Sequence, residues 1–288
     1  VLAALAATLS LVLAPVEDEI ARALHESPAG GRRAAAATRP LVGAPYQPSP
    51  LGEERGRDPD PRFRLDAFDC MTFIETAVAL GSASSLAEAR AAIDDVRYVA
   101  RPDFADRNHE VLSQWIPSNA RKGWIVDVTA ALAGDEARPA AKEYTPASWQ
   151  TVRTAGRSIP GVPRARLPLG RFDARIVPPD ATAAIAPRLP PGAVVFVFRE
   201  DQPERATRVT HAGLVVHGPR GAVRVRHATS SKGVGRVIEE PLDRFVRRQA
   251  KAWPRWPLAG FAFYALPDMS ARAHALAVHP VPVPPPRP

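Results

Sequence analysis

The sequence predicts an α+β protein, with helices gathered in the N-terminal half and an antiparallel β-sheet after them. Two patterns carry this. Between residues 69 and 96, apolar side chains recur at three- and four-residue spacing behind good N-cap residues. Beyond Pro160 the apolar residues instead form short β-branched and aromatic runs separated by turn residues. Helices first and strands afterwards mean α+β. A chain of 288 residues with 45% hydrophobic and 24% charged side chains is long enough to bury one large core.

Taken in order, Val1–Val16 (VLAALAATLSLVLAPV) is apolar and uncharged, which reads as the remnant of a secretory signal, or else as a buried N-terminal helix. Glu17–His25 has helical spacing, and residues 27–64 are irregular and rich in Gly, Pro and Arg. Asp69–Leu80 is a compact helix with Asp69 as N-cap, Gly81 as C-cap and a stripe of Cys70, Phe73, Ile74, Ala77 and Val78. Ser85 and Glu88 form a capping box for a second helix, with Leu86, Ala89, Ile93 and Val96 inward, and a short helix follows around 109–116. Strands are expected at 193–198, 208–216, 222–228 and 260–266. The resulting organisation is a signal segment at 1–16, a single catalytic domain over 17–268 with 138–191 as an insertion or lid, and a Pro-rich disordered tail at 269–288.

No apolar run reaches the roughly 18–20 residues that a membrane-spanning helix needs. The single cysteine excludes an internal disulfide framework and Cys-based zinc fingers. A net charge of +8, carried almost wholly by arginine, draws the chain to polyanions without choosing among them.

Cys70 falls in the first turn of its helix, where the positive end of the helix dipole lowers a thiol's pKa; a buried structural cysteine is the alternative. A nucleophilic thiol needs a base, and the base an orienting partner. His211 and His227 lie on consecutive expected strands. With His217–Gly221 as the connection and Val216 facing Ala222, His211 falls directly opposite His227 on the face that carries Val215, Val223 and Val225. A register slip of one residue would separate the rings.

Tyr46 in LVGAPYQPSPLG, DCMTFIE at 69–75, RNHEVLSQWIPSN at 107–119, THAGLVV at 210–216 and RHATS at 226–230 occur in this order. Together they resemble the N-acetylmuramoyl-L-alanine amidase-like branch of the NlpC-type, papain-like cysteine hydrolases of bacterial cell walls, over about Leu41 to Leu266. The resemblance implies a papain-like fold, with the nucleophile helix packed on the antiparallel sheet, and a triad of Cys70, His211 and His227. It also implies substrate or oxyanion roles for Tyr46, Asp69, Arg107, His109 and Ser230. This sequence departs from the pattern in a longer, more charged stretch between Tyr46 and Cys70, and in Glu110 where an aromatic is expected.

The expected function is therefore an exported cysteine amidase cleaving the N-acetylmuramoyl–L-Ala bond, needing no cofactor, acting as a monomer, with peptidoglycan or a muropeptide as partner and no nucleic acid. A stem-peptide endopeptidase of the same fold is the nearest rival. A metal hydrolase built on His211, His217 and His227 lacks HExxH and a clustered acidic ligand set. A basic glycan- or nucleic-acid-binding module would use the run Arg153, Arg157, Arg164, Arg166, Arg171 and Arg175, which reads better as a solvated loop.

Overall fold

The computed structural model describes residues 16–151, 153–154, 157–158 and 162–280. The expected signal segment (to residue 15) and the end of the expected tail (281–288) lie outside the described residues.

Helix α1 (residues 16–26) buries Ile20 and Leu24. Helix α2 (Gly31–Ala37) follows in the stretch expected to be irregular. Helix α3 (Cys70–Ser82) starts at Asp69, whose carboxylate accepts the Thr72 N–H at 2.7 Å while the Thr72 hydroxyl accepts the Asp69 N–H at 2.9 Å. Gly81 does not end this helix as expected. It stays helical because its bare backbone admits α2: the Gly30 N–H donates to Gly81 O at 2.7 Å, and a Cβ on Gly81 would lie 3.1 Å from Gly30 O. Helix α4 (Leu86–Arg97) is capped by Ser85, but the Glu88 carboxylate turns to the N–H and hydroxyl of Ser84, so only half of the expected capping box forms. The short helix expected near 109–116 is a π-helical turn over Val111–Trp115 running into helix α5 (Ile116–Lys122).

The sheet has six antiparallel strands: β1 (Val126–Asp127), β4 (Val194–Arg199), β5 (Val209–His217), β6 (Val223–Thr229), β7 (Arg236–Pro241) and β8 (Leu258–Ala265), in the order β1-β8-β4-β5-β6-β7. Ala212, Leu214, Val216 and Ala228 face the helical layer that holds Phe73, Ile74 and Ala77. On the other face, Val195, Val215, Val225 and Phe263 pack with Phe245 of helix α6 (Leu242–Ala252). Residues 138–191 contain a separate hairpin, β2 (Arg138–Tyr144) with β3 (Gly170–Ile176), which is tied to the main sheet where Val177 and Phe261 exchange backbone hydrogen bonds of 2.8 and 2.9 Å. The expected disordered tail is corrected at its start, because Ser270–Val278 forms helix α7, anchored by buried Ala273.

The hairpin register differs from expectation by two residues. The connection is Gly218–Ala222, closed by the Gly218 N–H on Ala222 O at 2.8 Å, and His217 stays in the strand opposite Val223, its ring held by Leu189 O at 3.0 Å. Continued, this register sets Gly213 rather than His211 against His227, and a Cβ on Gly213 would lie 3.3 Å from His227 Cβ. A two-residue offset preserves facing, so the two histidines become diagonal neighbours on one face.

Candidate functional site

The β5–β6 ladder ends at Leu214↔Arg226, although β5 begins at Val209 and β6 runs on to Thr229. The backbone amide of Ala212, beyond the last β5–β6 pair, faces the thiol of Cys70 and favours its thiolate. The head of α3 therefore meets β5 immediately beside His211.

His211 Nε2 and His227 Nδ1 are 2.7 Å apart, with the rings nearly perpendicular at 86°. His227 is fully buried and its Nε2 lies 3.1 Å from Oε1 of Glu240 on β7. The register pairs Val225 with Glu240 and His227 with Ile238, so Glu240 is again a diagonal neighbour. Phe245 of α6 floors both rings, at 6.1 Å from His211 and 5.1 Å from His227 between centroids. Three residues later on the same helix, Arg248 clasps the Glu240 carboxylate at 2.8 and 3.0 Å.

Burial, the His227 ring and Arg199 hold His211 well below the ordinary histidine range, and burial likewise lowers His227 despite Glu240. Both rings are neutral at pH 7. Burial favours protonating Glu240, yet its bonds to His227 and Arg248 win and hold its carboxyl at about 2. The thiol contradicts the sequence expectation of a lowered pKa. Burial and then the neighbouring Asp69 carboxylate push Cys70 up to about 12, outweighing the N–H groups of Ala212, Cys70 and Met71 that favour the thiolate.

Tyr46 joins this cluster through a short parallel bridge to Phe68: the Phe68 N–H donates to Pro45 O and the Gln47 N–H to Phe68 O, both at 3.0 Å. Burial, with Cys70 and Asp69 nearby, raises its hydroxyl to about 12, against the opposing influence of the exposed Ser230. Asp69 spends one oxygen on its cap and the other on the Ser49 N–H at 3.0 Å, tying the Tyr46 loop to α3.

Arg107 and His109 sit apart from this cluster, along a cleft of about 490 Å³ whose lining includes Asp69, Thr72, Arg205 and Trp256. Arg107 is buried between Glu53 (2.6 Å) and Asp58 (2.8 Å). Arg97 is buried against Glu75 and donates to Leu51 O at 2.6 Å. The long charged stretch before Cys70 and these arginines are one feature, since the guanidiniums pin residues 51–58 against the helices. His109 Nε2 is bonded to Phe104 O at 2.7 Å, and burial and Arg107 lower its pKa to about 3. Glu110, in place of an aromatic, caps the π-helical turn through the Ser113 N–H (2.6 Å) and accepts the Thr207 hydroxyl (2.8 Å).

Sequence reasoning missed Glu240 and Arg248. The acidic pair in RVIEEP, just ahead of an arginine-rich amphipathic helix, was the available signal.

The family model described as AmiA-like, N-acetylmuramoyl-L-alanine amidase-like, matches residues 36–252. The chain belongs to this family. The match spans the cysteine helix, both histidines and Glu240. No curated protein matches the chain. Among solved structures, protein LPG0564 from Legionella pneumophila is 20% identical with a TM-score of 0.67, covering 88% of this chain and 89% of its own. An N-acetylmuramoyl-L-alanine amidase from Bacteroides uniformis is 16% identical with a TM-score of 0.62, covering 88% and 100%. A putative xylanase from Bacteroides fragilis is 20% identical with a TM-score of 0.57, covering 78% and 96%. These likenesses show a shared α+β fold with an antiparallel sheet.

Proposed function

We propose that this amidase-family protein is a cysteine hydrolase of the NlpC-type, papain-like kind, cleaving the amide between the lactyl group of N-acetylmuramic acid and L-Ala in peptidoglycan or its fragments. The observation that carries the reading is the Cys70 thiol at the head of α3, faced by the amide that follows His211, with His211 Nε2 2.7 Å from His227 Nδ1.

Both partners start neutral, so His211 acts as a general base during attack rather than as half of a standing ion pair. It takes the Sγ proton as the sulfur bonds to the carbonyl carbon, and the carbonyl π pair moves to oxygen. The Cys70 N–H, unpaired within the first helical turn, is positioned to hold that oxyanion, with Tyr46 beside it. Collapse of the intermediate breaks the C–N bond, and the His211 imidazolium protonates the departing L-Ala nitrogen. Water, deprotonated by His211, then releases the acyl group and restores the thiol. Intact peptidoglycan lies outside the cytoplasm, and membership of this family supports an extracytoplasmic protein.

Mass spectrometry of muropeptides after incubation decides the bond. Free stem peptide beginning at L-Ala is the expected product. Cleavage within the stem would replace the amidase reading with an endopeptidase, and intact muropeptides would reject both.

A further inference from the structure

Glu240 decides which ring nitrogens carry protons. An ionised carboxylate only accepts hydrogen bonds, so the 3.1 Å contact with His227 requires a hydrogen on His227 Nε2. A neutral imidazole has one N–H, which leaves His227 Nδ1 as a lone pair. The 2.7 Å contact between the rings then requires His211 Nε2 to donate. Neutral His211 is thereby left with Nδ1 bare, the nitrogen not used in the relay.

We propose that Glu240, clasped by Arg248, is a positioning residue that fixes the tautomers of both histidines and leaves His211 Nδ1 as the proton acceptor of the site. The inference rests on the reading of His211 as the base. Its geometry is independent of the bond cleaved: three side chains, each diagonal to the next across β5, β6 and β7, and an anchor from α6 that also supplies the apolar floor. Arg244, 3.3 Å from the second Glu240 oxygen, adds a further positive charge, and Arg199 approaches His211 from β4. When His211 takes the thiol proton, the imidazolium is stabilised through its Nε2–H bond to a ring that Glu240 already polarises.

Nitrogen-15 NMR of histidine-labelled full-length protein near pH 7.5 reads the tautomers directly. Both rings should carry hydrogen on Nε2. Glu240→Ala should abolish the single tautomer of His227, slow iodoacetamide alkylation of Cys70, and lower kcat by roughly 10- to 100-fold with little change in KM, less than loss of a directly orienting partner. Glu240→Gln keeps one acceptor oxygen and should retain the tautomers with a smaller loss of rate. If Glu240→Ala fails to fold, Arg248→Ala, altered at a partly exposed helix position, should weaken the same signals. A wild-type His211 protonated on Nδ1 would overturn the proposal, as would Glu240 and Arg248 variants with unchanged tautomers and alkylation rates. Tautomers and alkylation as expected, with muropeptides left intact, would reject the amidase reading and leave this one standing.

Discussion

Two sets of buried polar side chains flank the head of α3, and they follow opposite logic. On the cleft side, Arg107 meets Glu53 and Asp58, and Arg97 meets Glu75, charge against charge. On the sheet side, two neutral rings pass hydrogen bonds to a single carboxylate. The first arrangement can hold backbone in place, because each guanidinium is committed to fixed partners. The second can move a proton, because one nitrogen of His211 lies outside the relay. Residue type alone does not separate the two, since His109 and His211 are both half-buried histidines with lowered pKa values. What separates them is that His109 gives its Nε2 to a backbone carbonyl, whereas His211 gives its Nε2 to another titratable ring.

The largest effects should come from the sheet side. Cys70→Ala should reduce muropeptide turnover by about 10⁴- to 10⁶-fold, and His211→Ala comparably, because members of one catalytic unit are lost non-additively. Chromatographic assay of released peptide measures this, and the Cys70→Ala melt should stay near wild type. Residual activity within tenfold of wild type in either variant would remove the sheet side from catalysis.

The cleft side should respond in stability instead. Arg107→Leu leaves Glu53 buried without its partner and should cost about 3–5 kcal/mol in urea denaturation. The folded fraction should alkylate Cys70 at the wild-type rate. A variant of normal stability whose turnover collapsed would move Arg107 into the catalytic machinery and erase the contrast.

How much of this could be read from the sequence follows from the range of each interaction. Asp69, Cys70 and Thr72 are consecutive or nearly so, and capping chemistry is local, so the head of α3 was legible. The histidine pair survived an error in register because the side-chain period of a strand is two; the rings stayed on one face although their direct opposition was lost. Glu240 needed a third strand, β7, whose short, largely polar run does not announce itself, and a diagonal relation that no local pattern encodes. Gly81 looked like a helix stop because the approach of α2 that requires a bare backbone is a tertiary fact. The fate of Arg107 was hidden for the same reason: its partners lie 54 and 49 residues away.

A smaller effect concerns the thiol itself. With Cys70 raised to about 12 and His211 lowered, the free protein holds a neutral pair, so the iodoacetamide rate should rise steadily between pH 6 and 9. A preformed thiolate–imidazolium pair would give a plateau across that range, and observing one would reverse the protonation assignment.

The smallest effect should be on stability as a function of pH, and it is shared by the two sides. His109, His211 and His227 all have folded pKa values below the ordinary value of 6.5. For such groups the unfolded chain binds more protons once the pH drops below 6.5, so stability is full above that value and declines on acidification. His109, lowered to about 3, contributes about 1 kcal/mol of loss on going from pH 7.5 to 5.5, and His211 and His227 act in the same direction. Asp94, Glu75 and Glu110 oppose them: burial raises all three, Asp94 to about 6, so proton uptake by the folded state recovers a part of the loss. The histidines set the expected direction, and the melting temperature should be lower at pH 5.5 than at 7.5. His109→Gln should shrink that fall while leaving the alkylation profile of Cys70 unchanged, because His109 belongs to the cleft side. A His109→Gln variant that altered the profile would show the two sides to be coupled through α3.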